Sequence, residues 1–239
     1  MGTAFGISSF CLHDRPLSEA LERLSELTRV VEVMDEGCHR LHDTELLETF
    51  DLEYTIHAPS RGVNLASLLE PVRRASVEVT IGCFSLAARV GAGVVVHPGY
   101  CAWAHERTEA WGQFRRSLQE LKAGASDLSI PFYVENMGDW GYFLLKTPDE
   151  LPLIEDAGFA LDVGHAHQNH ALEGFLQARF DHVHLHDNDG TTDAHAPVGE
   201  GTIDFAAVME VVQRNGARPI IEVGTLEGVV SSLRALEGL

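Results

Sequence analysis

The chain has 239 residues, of which 45% are hydrophobic and 22% charged, the composition of a globular protein with a sizeable core. Its 36 acidic residues against 17 basic ones give a formal charge of −19, which disfavours nonspecific binding to nucleic acid. No uncharged stretch is long enough to span a bilayer, and four widely spaced cysteines follow no paired pattern, so we expect a cytoplasmic protein with buried, reduced thiols.

Short runs rich in β-branched residues recur along the chain and are predicted to be strands. In chain order they are AFGISSF (4–10), VVEVMDE (30–36), YTIHA (54–58), VVVHPG (94–99), FYVEN (132–136), FALDVGH (159–165), HVHLHD (182–187) and IIEVG (220–224). Amphipathic stretches with helical spacing lie between them, at 18–27, 71–90, 106–124, 204–216 and 226–236. Eight strands alternating with helices predict a single (β/α)8 TIM barrel over residues 1–239, and a doubly wound open sheet is the alternative fold.

Residues with known preferences for helix ends support this assignment. Asp204 and Thr225 precede helical runs and are candidate N-terminal caps. Gly93, Gly124 and Gly216 follow helical runs, as glycine at the carboxyl end of a helix often does. We therefore expect helices to begin or end at these five positions.

Alternation within the strands indicates which side chains point into the barrel. In FYVEN, Tyr133 and Glu135 share one face, while Phe132 and Val134 share the other. The apolar face suits the helix layer, so the polar face is expected to point inward. Because the active sites of such barrels form at the carboxyl ends of the strands, we expect polar residues there to converge.

Histidines are concentrated late in the chain: seven of the thirteen lie between His165 and His195, interleaved with aspartates. Imidazole nitrogen and carboxylate oxygen together suit Zn²⁺ or Mn²⁺, and no Cys-x-x-Cys motif lies nearby. Seven of the eight predicted strands deliver a metal-capable side chain to the same face. The convergent set is Glu32, His57, His97, Glu135, Asp162, His165, His184 and Glu222, joined by Asp193 and His195.

Seven motifs occur in order along nearly the whole chain: HAP (57–59), VVVHPG (94–99), VEN (134–136), LDVGHAH (161–167), HVHLHDND (182–189), DAHAPVGEG (193–201) and IIEV (220–223). This order resembles the xylose isomerase-like TIM barrel superfamily, which includes the sugar phosphate isomerases and epimerases and endonuclease IV of AP endonuclease family 2. The resemblance implies a four-ligand core for one divalent ion at Glu135, Asp162, His184 and Glu222.

The likeness to endonuclease IV implies a larger metal cluster. Further ligands for three zinc ions would be His57, His97, His165, Asp193 and His195. We therefore expect one to three divalent ions per chain. Four other histidines match no ligand of the family and are expected beside the ligands or at the surface: His167, His170, His182 and His186.

The resemblance first suggests an isomerase or epimerase of a small sugar or sugar phosphate, acting through a metal-stabilised enediolate. Glu135 and Glu222 would be the catalytic acid and base, and His165 would protonate or orient a substrate oxygen. Arg61 and Glu32 are the candidate substrate-binding residues. A solvated loop position is the other interpretation of Arg61, and a cap on a neighbouring loop is that of Glu32.

The alternative is a multi-zinc phosphodiesterase similar to endonuclease IV, which cleaves DNA at abasic sites. Nucleic acid would be a partner only in that case, and a membrane in neither. After HAP the chain reads Ser60, Arg61, Gly62, where the endonucleases commonly carry an aromatic residue that helps to hold the opened duplex. A third hypothesis is a metal-dependent sugar sensor without activity. The oligomeric state is not predicted.

Overall fold

The computed structural model describes residues 5–239, so Ala4 of the first predicted strand lies outside the described residues. Eight parallel strands close into one barrel in sequence order, which confirms the TIM barrel and rules out the open sheet. The strands are β1 (Gly6–Ser8), β2 (Val30–Met34), β3 (Glu53–His57), β4 (Gly93–Val96), β5 (Phe132–Glu135), β6 (Gly158–Asp162), β7 (His182–Leu185) and β8 (Arg218–Ile221).

Helices surround the barrel, and all five predicted helical stretches are present. They are α1 (Leu17–Ser25), α2 (Glu70–Arg89), α3 (Arg107–Leu128), α4 (Val163–Gln168), α5 (Leu172–Phe175), α6 (Phe205–Asn215) and α7 (Leu226–Glu237). Two connections lack an α-helix: those from β2 to β3 and from β5 to β6 contain only 3₁₀ helices. Within residues 5–239, no helix has the length and apolarity needed to cross a membrane.

Three of the five expected helix ends are confirmed. The Asp204 carboxylate accepts backbone N–H groups at the start of α6, and the Thr225 hydroxyl accepts that of Gly228 in α7. Gly216 follows α6 with a φ of 66°, a left-handed conformation that glycine adopts without steric cost. These caps fix where the last two helices leave the barrel.

The other two glycine predictions are wrong. Gly93 is the first residue of β4, and Gly124 lies inside α3, which continues to Leu128. A Cβ on Gly124 would lie 3.2 Å from Ile81 Cγ1, so this glycine lets α3 pack closely on α2. Glycine is favoured here because the two helices are close together, and this tertiary contact cannot be read from the sequence around Gly124.

Three of the four cysteines are buried free thiols, as expected: Cys11, Cys83 and Cys101. Cys38 is exposed, so the expectation is wrong for this residue. It lies in the 3₁₀ helix Gly37–His39, on the surface of the connection that follows β2.

The apolar core lies between the barrel and its helices, while the barrel interior is polar near the mouth. Inside the barrel the Tyr133 ring stacks on that of His182, with centroids 5.5 Å apart. This contact agrees with the strand alternation, which puts both residues on the inner face. The residues on the opposite faces are apolar and fully buried: Val31, Val33, Ile56, Val94, Val134, Leu161, Val183, Leu185 and Ile221.

Candidate metal centre

Four of the expected ligands, here called the core set, meet at the carboxyl ends of the last four strands. Glu135 and Asp162 end β5 and β6, His184 lies in β7, and Glu222 follows β8. Nδ1 of His184 lies 3.1 Å from Glu135 Oε1, 3.0 Å from Glu222 Oε2 and 3.7 Å from Asp162 Oδ2. One donor atom from each residue lies within 4.8 Å of the other three, which is close enough to surround a single ion.

The core set contains three buried carboxylates whose partners in the described chain are histidines rather than Lys or Arg. Burial favours the neutral acid, but the His184 and His97 charges hold the pKa of Glu135 well below its usual range. Burial likewise opposes protonation of His184, yet Glu222 and Glu32 raise its pKa well above the usual value. Ionised carboxylates around an imidazole nitrogen fit a divalent cation such as Zn²⁺ or Mn²⁺.

A second donor group, the His57 group, shares Glu135 with the core set. His57 Nε2 and His97 Nε2 lie 3.2 Å and 3.0 Å from Glu135 Oε2. His57 Nδ1 donates to the Ala58 carbonyl at 2.9 Å, which turns Nε2 toward the carboxylate. Burial lowers the pKa of His57, but Glu135 outweighs this effect and raises it to about 9. Three donor atoms of this group lie within 4.8 Å of one another, so it could hold a second ion.

A third donor group, the Asp193 group, lies on the other side of the core set. Asp193 Oδ2 is 3.3 Å from His165 Nε2, and its Oδ1 is 3.4 Å from His195 Nε2. The Nδ1 atoms of both histidines donate to backbone carbonyls, of Asn136 at 3.0 Å and of Glu222 at 2.9 Å. Such a bond fixes the tautomer of a ligand histidine and leaves the other nitrogen free for an ion. The structure thus brings together all nine residues expected to bind metal.

His165 reaches this group from a helix rather than from the predicted strand. Strand β6 ends at Asp162, and the chain turns directly into α4. The Asp162 Oδ1 accepts the His165 backbone N–H at 2.6 Å, as an N-cap does. The prediction of a strand through residue 165 was wrong because Asp162, which belongs to the core set, also caps α4, and this helix begins at Val163.

Asp187 organises the loop that carries Asp193 and His195, a role that the sequence did not indicate. Its buried Oδ2 accepts the backbone N–H of Gly199 at 3.0 Å and that of Gly201 at 2.9 Å. A Cβ on Gly201 would overlap Asp187 Oδ1, so glycine is required there. The backbone of the VGEG segment is therefore held to a buried aspartate. The one sequence signal that could have found this role is an Asp that precedes a glycine-rich segment.

Glu32, a candidate substrate-binding residue, lies below the cavity and does not line it. The carboxylate is fully buried in the barrel interior. His182 Nε2 donates to its Oε2 at 2.8 Å, and His184 Nε2 lies 2.8 Å from its Oε1, an ion pair without ideal hydrogen-bond alignment. The structure therefore does not place Glu32 against a ligand in the cavity; its carboxylate contacts the ring of a core-set residue from beneath.

The four remaining histidines divide into two buried and two outer ones. His182 Nε2 donates to Glu32 Oε2, and His186 Nε2 lies 3.0 Å from Asp162 Oδ1. The His186 ring also stacks on that of His195, with centroids 3.9 Å apart. Both buried histidines also belong to groups of possible metal donors, His186 with the Asp193 group and His182 with Glu32 and His184. The outer two are His167, which contacts the Thr202 hydroxyl, and His170.

A cavity of about 580 Å³ opens above the three donor groups. Glu135, Glu222 and His165 line it, whereas Asp162 and His184 lie beneath. Arg61 stands at the rim with 75% of its side chain exposed, and its Nε is 3.8 Å from Glu36 Oε2. The cavity can therefore hold a small ligand against the donor groups, within reach of the carboxylates of Glu135, Asp193 and Glu222.

Comparison with known proteins supports one family. A family model described as "Xylose isomerase-like TIM barrel" matches residues 25–236. An uncharacterized protein of Methanocaldococcus jannaschii is 32% identical over 225 residues, which cover 90% of this chain and 89% of that protein. A probable endonuclease 4 of Mycobacterium leprae is 29% identical over 75% of this chain and 76% of its own length.

A similar solved structure is described as a D-tagatose 3-epimerase-like protein. Its sequence is 30% identical, its TM-score is 0.91, and the match covers 99% of this chain and 96% of the other. A Thermus thermophilus protein soaked with ZnCl2 matches at 23% identity and a TM-score of 0.78, covering 100% and 97%. At that identity, the second match shows the fold alone.

Proposed function

The chain belongs to the xylose isomerase-like TIM barrel family, and from that premise we propose that it is a divalent-metal-dependent isomerase or epimerase of a sugar or sugar phosphate. The observation that carries the proposal is the arrangement of Glu135 and Glu222. Both carboxylates line one cavity and lie about equally far from His184 Nδ1, at 3.1 Å and 3.0 Å. Two carboxylates flanking a bound substrate are what proton transfer at neighbouring carbons, or on opposite faces of one carbon, requires.

The core set would hold the cation. When bound, it would polarise the substrate carbonyl and stabilise the negative charge that develops on the substrate oxygens. Glu222 or Glu135 would take a proton from the carbon next to the carbonyl, and the other, after taking up a proton from solvent, would return one to the substrate. His165, which lines the cavity and bonds Asn136 through Nδ1, would orient a substrate oxygen through Nε2.

Deuterium exchange tests the central step without knowledge of the product. Zinc- or manganese-loaded protein is incubated in D2O with a panel of ketoses, aldoses and their phosphates. Enzymatic removal of a C–H proton incorporates deuterium next to the carbonyl, and mass spectrometry detects it. We expect exchange with wild type, none with Glu222→Gln, and wild-type exchange with Glu227→Gln, an exposed residue at the start of α7. Absence of exchange with every sugar would contradict the proposal.

A multi-metal phosphodiesterase is the second candidate, and the observation that favours it is the presence of three donor groups at the cavity, with a fourth group of Glu32, His182 and His184 beneath them. The His57 group and the core set share Glu135, while the Asp193 group stands beside them. Three cations so arranged would clamp a phosphodiester and activate a hydroxide, as in multi-metal hydrolases. The net charge of −19 argues against an extended contact with DNA.

The number of bound metals separates the two candidates. We expect anomalous scattering from crystals of the metal-loaded protein to show its principal ion at the core set. His97→Ala should then weaken deuterium exchange but leave it measurable, because His97 belongs only to the His57 group. Three zinc ions, together with cleavage of an abasic-site duplex that His97→Ala abolishes, would support the phosphodiesterase instead.

A further inference from the structure

One buried histidine of the barrel mouth, His186, has a ring nitrogen that the proposed function leaves unused. The side chain is fully buried, and its Nε2 lies 3.0 Å from Asp162 Oδ1. Its Nδ1 is buried as well and has no hydrogen-bond partner within residues 5–239. An unpaired polar atom in a protein interior is unfavourable, so we expect Nδ1 to have a partner from outside the chain.

The contact with Asp162 determines which nitrogen of His186 is free. A carboxylate accepts hydrogen bonds, so the proton of the neutral ring lies on Nε2, and Nδ1 presents a lone pair. The ring is also fixed in place, because it packs on the backbone of Gly164, where a Cβ would overlap it. A fixed imidazole with a carboxylate on one nitrogen and a lone pair on the other is suited to bind a metal ion.

The Asp193 group lies directly beside this ring. The His186 ring stacks on that of His195 and meets the His165 ring nearly edge-on, with centroids 5.7 Å apart. One donor atom of His186 lies within 4.8 Å of one from each of His165, Asp193 and His195. Each of the three histidines has one nitrogen bonded to a carboxylate or carbonyl oxygen. Three imidazoles and one carboxylate are therefore close enough to surround a single ion.

We propose that His186 and the Asp193 group together bind one Zn²⁺ ion; these four residues are called the four-donor site. The family resemblance implies only His165, Asp193 and His195 as ligands there, and His186 matches no ligand of the family. Structural zinc sites have four protein ligands, whereas catalytic sites have three and leave a position for water or substrate. The four-donor site is therefore closed to substrate, and its ion would fix the loop of Asp193 and His195 against the end of β7.

A closed site separates the roles of the bound metals. The core set has three carboxylates and the four-donor site has one, so the first cation is expected at the core set and the second at the four-donor site. The proposed isomerase or epimerase reaction needs only the first. A phosphodiesterase that clamps its substrate with three cations needs open positions on them, which a four-donor site does not supply. The inference goes beyond the proposed function and does not depend on it.

Anomalous scattering from crystals of the full chain, loaded with two equivalents of ZnCl2, tests the coordination directly. We expect the second ion at the four-donor site, with bonds of about 2.0–2.1 Å from nitrogen atoms of His165, His186 and His195. An ion held by the Asp193 group and water, with His186 unbonded, overturns the proposal. So does an absence of zinc from the group. This experiment uses wild type and is independent of how any variant folds.

Zinc titration against a chromophoric chelator measures the contribution of His186 in solution. In His186→Gln the second equivalent should bind more weakly by more than about 100-fold, because a ligand is lost. The first equivalent should weaken by at most about 10–100-fold, the effect of losing the hydrogen-bond partner of a ligand. His105→Gln is the matched control and should bind both equivalents as wild type does, because His105 is exposed and belongs to none of the donor groups. A second equivalent that weakens no more than the first would show that His186 only supports Asp162, and the proposal would fail.

Deuterium exchange at the two metal loadings separates the closed site from the proposed reaction. Exchange that is complete with the first equivalent of zinc and unchanged by the second supports a site closed to substrate. Exchange that appears only with the second equivalent overturns it. If neither loading gives exchange with any sugar, the proposed reaction fails, while a zinc–His186 bond in the crystals still supports the four-donor site.

Discussion

Two parts of this molecule bury charge, and they do so in opposite ways. Between α2 and α3, Arg73 is 2% exposed and donates to Glu70 at 2.9 Å, to Glu120 at 2.7 Å and to Ser117 at 3.0 Å. At the barrel mouth, three buried carboxylates have histidines as their charged partners. The Arg73 cluster neutralises its own charge, whereas the mouth concentrates acids around weakly basic rings.

The two regions differ in whether they need a ligand from outside the chain to balance their charges. Arg73 has partners for its guanidinium, so its cluster is complete in the protein alone and should act on folding stability. If the core set binds a metal as proposed, the cation would take the place of the proton on His184 Nδ1, because metal and proton compete for the same nitrogen. Damage to the helix layer should therefore lower stability and spare metal binding. Damage to the mouth should remove metal binding, and with it only the stability that bound metal supplies.

The largest effect is expected from Glu135→Gln at the mouth. Glu135 belongs to two donor groups and is a proposed proton carrier, so its loss should reduce deuterium exchange by about 10²–10⁴-fold. Bound metal, measured by plasma mass spectrometry, should fall with it, while the circular dichroism spectrum stays that of wild type. Glu78→Gln, on the exposed face of α2, is the control. Full metal content in the Glu135 variant would contradict the assignment.

Arg73→Leu should show the opposite profile. Removal of a buried partner from an ion pair costs about 3–5 kcal/mol, and here less, because Glu70 and Glu120 are 40% and 47% exposed and regain water. We expect a loss of about 2–3 kcal/mol in urea unfolding with metal content unchanged. The exposed neighbour Arg74 offers the control Arg74→Leu, which should cost little. A metal deficit in the Arg73 variant would break the division between the two regions.

Metal removal should affect the stability of wild type and of Arg73→Leu equally. A ligand at 100 times its Kd stabilises the native state by about 2.7 kcal/mol, which is roughly 5–10 °C in Tm for a domain of this size. Scanning calorimetry with and without a chelator measures the shift. In Glu135→Gln the shift should be absent or much smaller. A shift that vanished in Arg73→Leu would show that the helix layer contributes to the metal site.

Glu32→Gln should weaken metal binding although it removes none of the nine expected ligands. Glu32 pairs with Nε2 of His184 and leaves Nδ1 facing the core set, an arrangement that orients ligand histidines in other metalloproteins. Loss of such a partner costs about 10–100-fold in metal affinity, which zinc titration against a chromophoric chelator measures. The absorption spectrum of the Co²⁺-loaded variant should also change, which a purely structural role would not require. Wild-type affinity would leave Glu32 as a structural ion pair.

The strands and the side chains that face into the barrel could be predicted because both depend on local alternation. In FYVEN alternation puts Glu135 on the inner face, and in HVHLHD it puts His182, His184 and His186 there. The choice of His184 as a ligand rests on the family resemblance and stays a prediction. The contact between Glu32 and His182 could not be predicted, because the two residues are 150 positions apart and meet across the barrel interior. Alternation tells which side chains point inward, but not which of them touch.

Two of the errors, at Asp162 and Gly124, arose where a tertiary contact determines the role of the residue. Asp162 ends a strand, caps α4 and joins the core set, so the strand was predicted to run too far. Gly124 resembles a helix end because glycine is common there, yet it serves the packing of α3 on α2. In both cases a tertiary contact outweighs the local preference of the residue.

His39 gives the smallest expected effect and contrasts with the mouth histidines. It is buried, and its Nδ1 lies 3.0 Å from the Ser9 hydroxyl rather than beside a carboxylate. Burial lowers the pKa of His39, with His13 adding to the shift and Asp14 opposing it. The native state therefore binds this proton more weakly than the unfolded chain does. The resulting stability is present above pH 6.5 and is lost as the pH falls through the lowered pKa.

Urea unfolding at pH 7.5 and 5.5 should show a smaller pH dependence in His39→Gln than in wild type. His42→Gln, which alters an exposed histidine, should show no such change. An equal pH dependence in wild type and His39→Gln would mean that burial without a carboxylate does not shift this histidine, and the contrast with His184 would fail.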